Sequence, residues 1–414
     1  MSSSQKISPF APSLLPMIQH VQGVRLAAVE AKIKYHGRKD LMLAVLREGT
    51  IAAGVFTNSK TCSAAVLWCR EQLKHNRARA LVVNSGNANA FTGSLGDSAV
   101  KLVTKATADA IGCLQDDVYI ASTGVIGEPL EAKLFTHLLD GMVKTASTVV
   151  DSWYDAARAI MTTDTFPKMA STNIILDGVN VNITGFVKGS GMVAPDMATM
   201  LAFIFTDAKI NSSLLQDITS ELSYKTFNCI TVDGDTSTSD TVLVFATGAC
   251  DNQEITDRKS DSALVLMSAL HQVMHDLALQ VVKDGEGLSK FITIHISGAE
   301  NDTAAHRIGM SLANSPLLKT AISGEDPNWG RVVMAVGKAG EAANRDKLKI
   351  CFGPNILAED GIRSPHYNED TVSDYMKNSE IDIKVDVGVG VGRATVWTCD
   401  LTHDYISINS DYRS

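Results

Sequence analysis

Apolar and polar positions along this chain repeat in two periods. Stretches with the 3.6-residue spacing of a helix alternate with stretches that show the two-residue spacing, or the continuous apolar run, of a strand. The alternation persists from end to end and predicts α/β layers. Asp97 to Ile111 reads as a helix that Gly112 stops, because glycine takes the left-handed conformation a helix end needs. Pro129 suits the first turn of another helix running through Leu139. Ser260 to Val282 carries the longest helical pattern. Lys283-Asp284-Gly285-Glu286-Gly287 follows it as a turn before a strand from Phe291 to Ile296, which puts Glu286 in a helix-to-strand loop. Asn173 to Leu176 and Val179 to Ile183 flank Asp177-Gly178, a favoured two-residue hairpin turn. The glycine-rich run from Lys188 to Ala198 then leads into Thr199 to Phe205, which is almost wholly apolar and reads as a buried strand. No internal repeat or low-complexity linker divides the chain.

Composition narrows the class. A chain of 414 residues, 45% hydrophobic and 20% charged, can bury a large core in two or three structural units. A net charge of −9 and a pI near 5.6 give no general attraction to nucleic acid or to an anionic membrane. The seven cysteines are odd in number and never form a CxxC pair, which fits a reducing compartment. The first residues lack the features of a secretory signal or transit peptide, and no stretch approaches the ~18 consecutive apolar residues of a membrane span. The expectation is a cytoplasmic protein.

Thr199 stands where the glycine-rich loop meets the apolar run. A hydroxyl is a poor nucleophile at neutral pH and needs a base, yet the histidines here sit in no serine-hydrolase motif. Cutting the chain before a threonine supplies one, because the new α-amine, with an unperturbed pKa of about 8, serves as base for its own hydroxyl. Cleavage between Ala198 and Thr199 requires an N-to-O acyl shift and hydrolysis of the resulting ester. Gly189, Gly191 and Pro195 suit a constrained loop, and the small Ala198 side chain lets its carbonyl be approached. Taken alone, the same residues also fit a turn feeding a core strand.

Resemblance separates the two. The string KGSGMVAPDMATML resembles the autocleavage motif of the ornithine acetyltransferase (glutamate N-acetyltransferase) family, in which the Ala-Thr bond is cut to give α and β chains. GRKDL, VFTNSKTCSAAV, VVNSGNANAFTG and ASTGVIGEPL precede it, and FNCITVDGDTSTSDT, KDGEG, SPLLKTAISGEDPNWGR and CDLTHDYISIN follow, in the family's order. The resemblance implies a layered α-β-β-α sandwich of the self-cleaving N-terminal-nucleophile type with a smaller C-terminal α/β part. It further implies an α chain of residues 1–198, a β chain of residues 199–414 in which residues from about 290 onward form that smaller part, and a heterotetramer of two of each.

Carried across position by position, the resemblance implies Thr199 as the nucleophile, Thr123 and Gly124 as the oxyanion hole, and Thr162, Lys188, Thr199, Glu286, Asn409 and Ser414 as substrate contacts. In the implied double displacement Thr199 takes the acetyl group of N2-acetylornithine, ornithine leaves, and glutamate accepts the acetyl group from the acyl-threonine. No metal or organic cofactor is called for. Acetyl-coenzyme A as a further donor stays open. So do a self-cleaving amidase or aminopeptidase of the same fold, with water as acceptor, and a non-catalytic binding protein. Lys188 is paired by hypothesis with the substrate α-carboxylate and Glu286 with an ammonium. Cys229, Ser239, His403 and the terminal Ser414 depart from the family's usual residues.

Read without the resemblance, Ser122-Thr123-Gly124 is a strand-ending turn, Lys188 and Glu286 are solvated charges, Thr162 is a helix-end polar group, and Asn409 and Ser414 belong to a frayed tail. Other signals carry less. His271 and His275 share a helix face but have no identifiable third ligand. Asp233, Asp235 and Asp240 lack the glycine and glutamate of a calcium loop and read as a polar turn. Gly388 to Gly392 is not a dinucleotide fingerprint, and Asn84 to Asn89 lacks the lysine and hydroxyl of a P-loop.

Overall fold

The computed structural model describes residues 6–194 and 200–410, which fall into two compact units. The larger comprises Pro12–Asn228 and Asp235–Val281, and the smaller comprises Met1–Ala11, Cys229–Gly234 and Val282–Ser414.

In the larger unit the chain runs β1 (Val24–Val29), β2 (Leu41–Leu46), β3 (Ile51–Phe56), α1 (Ala64–Gln72), β4 (Ala80–Asn87), α2 (Gly93–Ile111), β5 (Val118–Val125), α3 (Leu139–Thr145), α4 (Val150–Ala159), β6 (Lys168–Leu176), β7 (Val179–Lys188), β8 (Leu201–Thr206), α5 (Ser212–Lys225), β9 (Thr241–Ala246) and α6 (Asp261–Val282). The strands form two sheets, of order β1-β2-β4-β5 and β3-β9-β8-β7-β6. Their inner faces meet through aromatic rings. Tyr119 of β5 lies edge-on to Phe245 of β9 with centroids 5.7 Å apart, and Trp153 of α4 lies edge-on to Phe205 at 5.5 Å. Helices α2 and α3 cover the first sheet and α5 packs on β3 of the second, while the Gln280 amide of α6 bonds to the Met169 N–H and carbonyl of β6 in that second sheet. Gly185 of β7 has no side chain to obstruct Leu277 of α6. The result is an α-β-β-α sandwich, with β8 central in its sheet and buried along its whole length.

Exposed sheet edges invite association, and side chains bond to the backbone of two of the edge strands, β5 and β3. Trp68 Nε1 of α1 donates to the Val118 carbonyl on β5 at 2.9 Å. On β3, the Gln216 amide of α5 bonds to both the N–H and the carbonyl of Gly54, at 2.9 and 3.0 Å.

The smaller unit holds β10 (Phe291–Ala299), α7 (Asp302–Ala313), α8 (Pro316–Ser323), α9 (Trp329–Gly337), β11 (Lys349–Phe352), β12 (Asn355–Glu359), β13 (Ile362–Arg363), α10 (Glu369–Met376), β14 (Glu380–Asp386), β15 (Gly392–Cys399) and α11 (His403–Ser410). Its single six-stranded mixed sheet has the order β13-β12-β11-β14-β10-β15. Ile292, Ile294 and Ile296 of β10 join Ile308 and Leu312 of α7 in its core.

Turn and helix-end residues act where their backbone preferences place them. Asp177 and Gly178, at φ 53° and 81°, make the two-residue turn between β6 and β7, and Gly112 closes α2 at φ 78°. Helix α2 begins at Gly93, four residues before the expected Asp97. The helix expected from Pro129 is instead a pair of single 3₁₀ turns, with α3 starting only at Leu139. The Asn87 amide takes the carbonyls of Glu128 and Pro129 that such a helix would need for its own first turns. Helix α6 has the length and mean hydropathy, 1.2, of a membrane-crossing helix, and half of that apolar window is buried within the protein.

Candidate active site

Thr123 and Gly124 are the two residues before the last of β5, within the strand and not in a turn after it. Gly124 sits at φ 131°, and a Cβ there would overlap the carbonyl carbon of Gly86 on β4, so only glycine fits. The β4–β5 ladder slips at this point, and Asn87 pairs with both Thr123 and Val125. Side-chain amides fix the close approach. Asn84 Oδ1 accepts from Ser122 Oγ at 2.7 Å, Asn84 Nδ2 donates to the Asn87 carbonyl at 2.9 Å, and Asn87 Nδ2 donates to the Glu128 carbonyl at 3.0 Å.

Lys188 ends β7, where its backbone pairs with Leu201 of β8. Its Nζ donates to Thr123 Oγ1 at 3.0 Å and to Thr162 Oγ1 at 3.1 Å. An ammonium has hydrogens to give and no lone pair. Both threonine hydroxyls therefore accept from Lys188, and each keeps its own hydrogen for another acceptor. Since Lys188 lies on one sheet and Thr123 on the other, the contact spans the gap between the layers.

Thr162 lies in the loop between α4 and β6, which Asp164 organises. The Asp164 carboxylate accepts from the Thr162 N–H at 3.0 Å, from the Gly189 N–H at 2.7 Å and from Lys168 Nζ at 2.6 Å, and the Asp164 and Lys168 side chains are fully buried. Burial alone pushes the Asp164 carboxyl up. The ammoniums of Lys168 and Lys188, with the hydrogen bonds from Lys168 and the Thr162 N–H, outweigh that and hold it well below the usual carboxylate range.

Ala198, Thr199 and Ser414 lie outside the described residues. The chain on either side of the first two is placed. Met192 adopts φ 54°, a left-handed conformation that costs a non-glycine residue about 1–2 kcal/mol, and the Ala194 carbonyl accepts from Thr236 Oγ1 at 3.1 Å. Met200 is buried, and its carbonyl accepts from the N–H of Thr241 at 2.8 Å.

Glu286 and Asn409 belong to the smaller unit, in which they meet. Asn409 Nδ2, on α11, donates to Glu286 Oε2 at 2.7 Å. Glu286 is buried in the loop after α6, and Asn409 lies in a helix. Gly287, at φ 68°, lets α11 come close, for a Cβ there would overlap the backbone of Asp404 and Tyr405. Thr402 Oγ1 donates to the Gly287 carbonyl at 2.6 Å, and the Tyr405 hydroxyl donates to Asp233 Oδ2 at 3.2 Å.

Several residues here escaped the sequence reading. Asp164 and Lys168 carry the loop that presents Thr162, and Asp240 is a buried carboxyl within the electrostatic reach of Lys188. The acid embedded among the threonines of MTTDT was the available signal for the first. Among the described residues no group of three His, Cys, Asp or Glu side chains is gathered as a metal site.

The model of the ArgJ family matches residues 25–414. The arginine biosynthesis bifunctional protein ArgJ of Mesorhizobium japonicum is 54% identical over 414 residues, spanning 99% of this chain and 100% of its own. The protein of the same name from Brucella suis is 53% identical over 414 residues, with the same coverage. A crystal structure of the arginine biosynthesis bifunctional protein argJ from Bacillus halodurans is 39% identical, with a TM-score of 0.49, and covers 51% of this chain and 99% of its own.

Breaking the buried Asp164–Lys168 pair through Asp164→Asn is expected to cost about 3–5 kcal/mol at neutral pH, because Lys168 is left with an uncompensated charge. The Asp164 carboxyl is depressed in the folded state, so its contribution is complete above its unfolded pKa of about 3.9 and is lost as pH falls through the lower folded value. Denaturant unfolding of both proteins should show a difference that is constant from about pH 7 to 5 and shrinks below about pH 4.

Proposed function

Because the chain belongs to the ArgJ family, we propose that it is a cytoplasmic glutamate N-acetyltransferase of arginine biosynthesis, which moves the acetyl group of N2-acetylornithine to glutamate through an acyl-Thr199 intermediate. The observation that carries the reading is the hydrogen bond from Lys188 to Thr123. It makes the Thr123 hydroxyl an acceptor toward Lys188 and aims its own hydrogen elsewhere. With the Gly124 N–H it can serve the oxygen that gains negative charge when Thr199 attacks the acetyl carbonyl, a donor set whose individual members are worth about 10²- to 10³-fold in rate. Lys188 adds a positive charge for the developing oxyanion or a substrate carboxylate. In this reading the chain cuts itself between Ala198 and Thr199. The α chain 1–198 and the β chain 199–414, the latter with its smaller part from about 290 onward, then assemble two and two. Thr162, Lys188, Glu286, Asn409 and Ser414 contact substrate, and the freed α-amine of Thr199 acts as the base.

Purified protein should transfer acetyl from N2-acetylornithine to glutamate with the parallel double-reciprocal lines of a ping-pong mechanism, and Thr199→Ala should abolish transfer. Acetate release independent of glutamate would favour the amidase reading, and parallel assays with acetyl-coenzyme A decide whether it is a second donor. Glu286→Gln should impair turnover of acetylornithine more than that of acetylglutamate, since only the former presents a side-chain ammonium. Equal losses with the two donors would reject that pairing.

A further inference from the structure

Strands β10 and β15 are antiparallel neighbours, and Phe291 at the start of one pairs with Cys399 at the end of the other. The loop that carries Glu286 leads into β10, and the segment that leads to α11 leaves β15, so both lie at the same end of the sheet. Asp400 joins them. It is 3% exposed, and its Oδ1 accepts from the N–H groups of Ser289 at 2.8 Å and Lys290 at 2.9 Å. Its Oδ2 accepts from Ser289 Oγ at 2.5 Å, and its own N–H donates to the Lys290 carbonyl at 3.2 Å.

A buried ammonium braces the same segment. Lys319 of α8, also 3% exposed, donates through Nζ to Thr398 Oγ1 at 2.7 Å and to the Cys399 carbonyl, while its own carbonyl accepts from the Leu401 N–H at 3.4 Å. Lys319 therefore holds the chain on both sides of Asp400. Burial pushes the Lys319 ammonium down, and Cys399, Asp400 and Asp233 oppose that push. A backbone ladder alone would close this end of the sheet without taking a carboxylate out of water, which is costly. The carboxylate fixes something the ladder does not, the placement of the Glu286 loop against the root of α11. Thr402 Oγ1 repeats the tie at 2.6 Å from the Gly287 carbonyl, and Asn409 on α11 then meets Glu286 at 2.7 Å.

We propose that Asp400 is a positioning residue for recognition of the side-chain ammonium of acetylornithine, locking the Glu286 loop to the root of α11 so that Asn409 fixes the Glu286 carboxylate for that ammonium. This rests on the reading of Glu286 as the partner of the ammonium. A misplacement of about 1 Å can cost as much as 10²-fold in rate. Asp400 acts through Glu286 and Asn409 and touches no substrate. Its loss should therefore be felt by ornithine and acetylornithine and not by glutamate and acetylglutamate, which carry no side-chain ammonium.

Isotope exchange separates the two halves of the reaction. A double displacement exchanges label between ornithine and acetylornithine without glutamate, and between glutamate and acetylglutamate without ornithine. In the full-length purified enzyme, Asp400→Ala should lower kcat/KM of the ornithine exchange by about 10- to 10²-fold, mainly through KM, and change the glutamate exchange by less than about twofold. Asp400→Asn keeps an oxygen for both N–H groups and can donate to Ser289 Oγ, so it should recover most of the loss. Ser289→Ala removes a single bond of the clasp and should show the same selectivity to a smaller extent, which decides the matter if Asp400→Ala does not fold. Adding Asp400→Ala to Glu286→Gln should bring no further selective loss. Equal losses in the two exchanges, or an unchanged ornithine exchange in Asp400→Ala and Ser289→Ala, would overturn the proposal and leave Glu286 in its role. If Glu286→Gln itself lowers both exchanges equally, the pairing beneath the proposal fails and the proposal with it. A wild-type enzyme that supports neither exchange would remove the acyl-Thr199 reading beneath both.

Discussion

The ammonium of Lys188 reaches from the end of β7 across the gap between two sheets to the hydroxyls of Thr123 and Thr162. Withdrawing a charge from water costs several kcal/mol unless hydrogen bonds and an opposite charge offset it. Here the two hydroxyls supply the bonds and Asp164 supplies the charge. Asp164 in turn is fixed by Lys168 and by the N–H groups of Thr162 and Gly189, so the loop after α4 and the strand end after Lys188 are tied to one carboxylate. Loss of that carboxylate would release both at once.

The same end of the sandwich gathers several strand ends: those of β5 and β7, and the starts of β8 and β9. Secondary structure is rigid in the strands and ends abruptly here, which suits groups that must be held to a fraction of an ångström. Close backbone approaches make the convergence possible. Gly124 lies against Gly86, and Gly189 lies under Met200 and Val281. In both places the missing side chain lets chain segments come nearer than any larger residue would allow.

Parts of this were legible in the sequence because they follow from local rules. Asp177-Gly178 demands left-handed backbone and so marks a hairpin, the apolar run after Thr199 belongs to a central strand, and the period of Ser260 to Val282 belongs to α6. Thr123, Gly124, Thr162 and Lys188 could be singled out only through the family's motifs, yet three of the four prove to be linked by one ammonium. What stayed hidden was long-range side-chain bonding, which leaves no periodic trace. The Asn87 amide dissolves the helix expected from Pro129, the Asp164–Lys168 pair is invisible as a pattern of four-residue spacing in a non-helical segment, and Asp240 looked like one more acid in a polar turn.

Whether Thr199 becomes a chain terminus is read from the intact mass of freshly purified protein with N-terminal sequencing of any fragments. Two chains are expected in place of the single 44.3 kDa polypeptide, the second beginning Thr199-Met200-Leu201. A single chain of full mass that stays intact through prolonged incubation would contradict it, because the hydroxyl of Thr199 would then have no amine of its own to act as base.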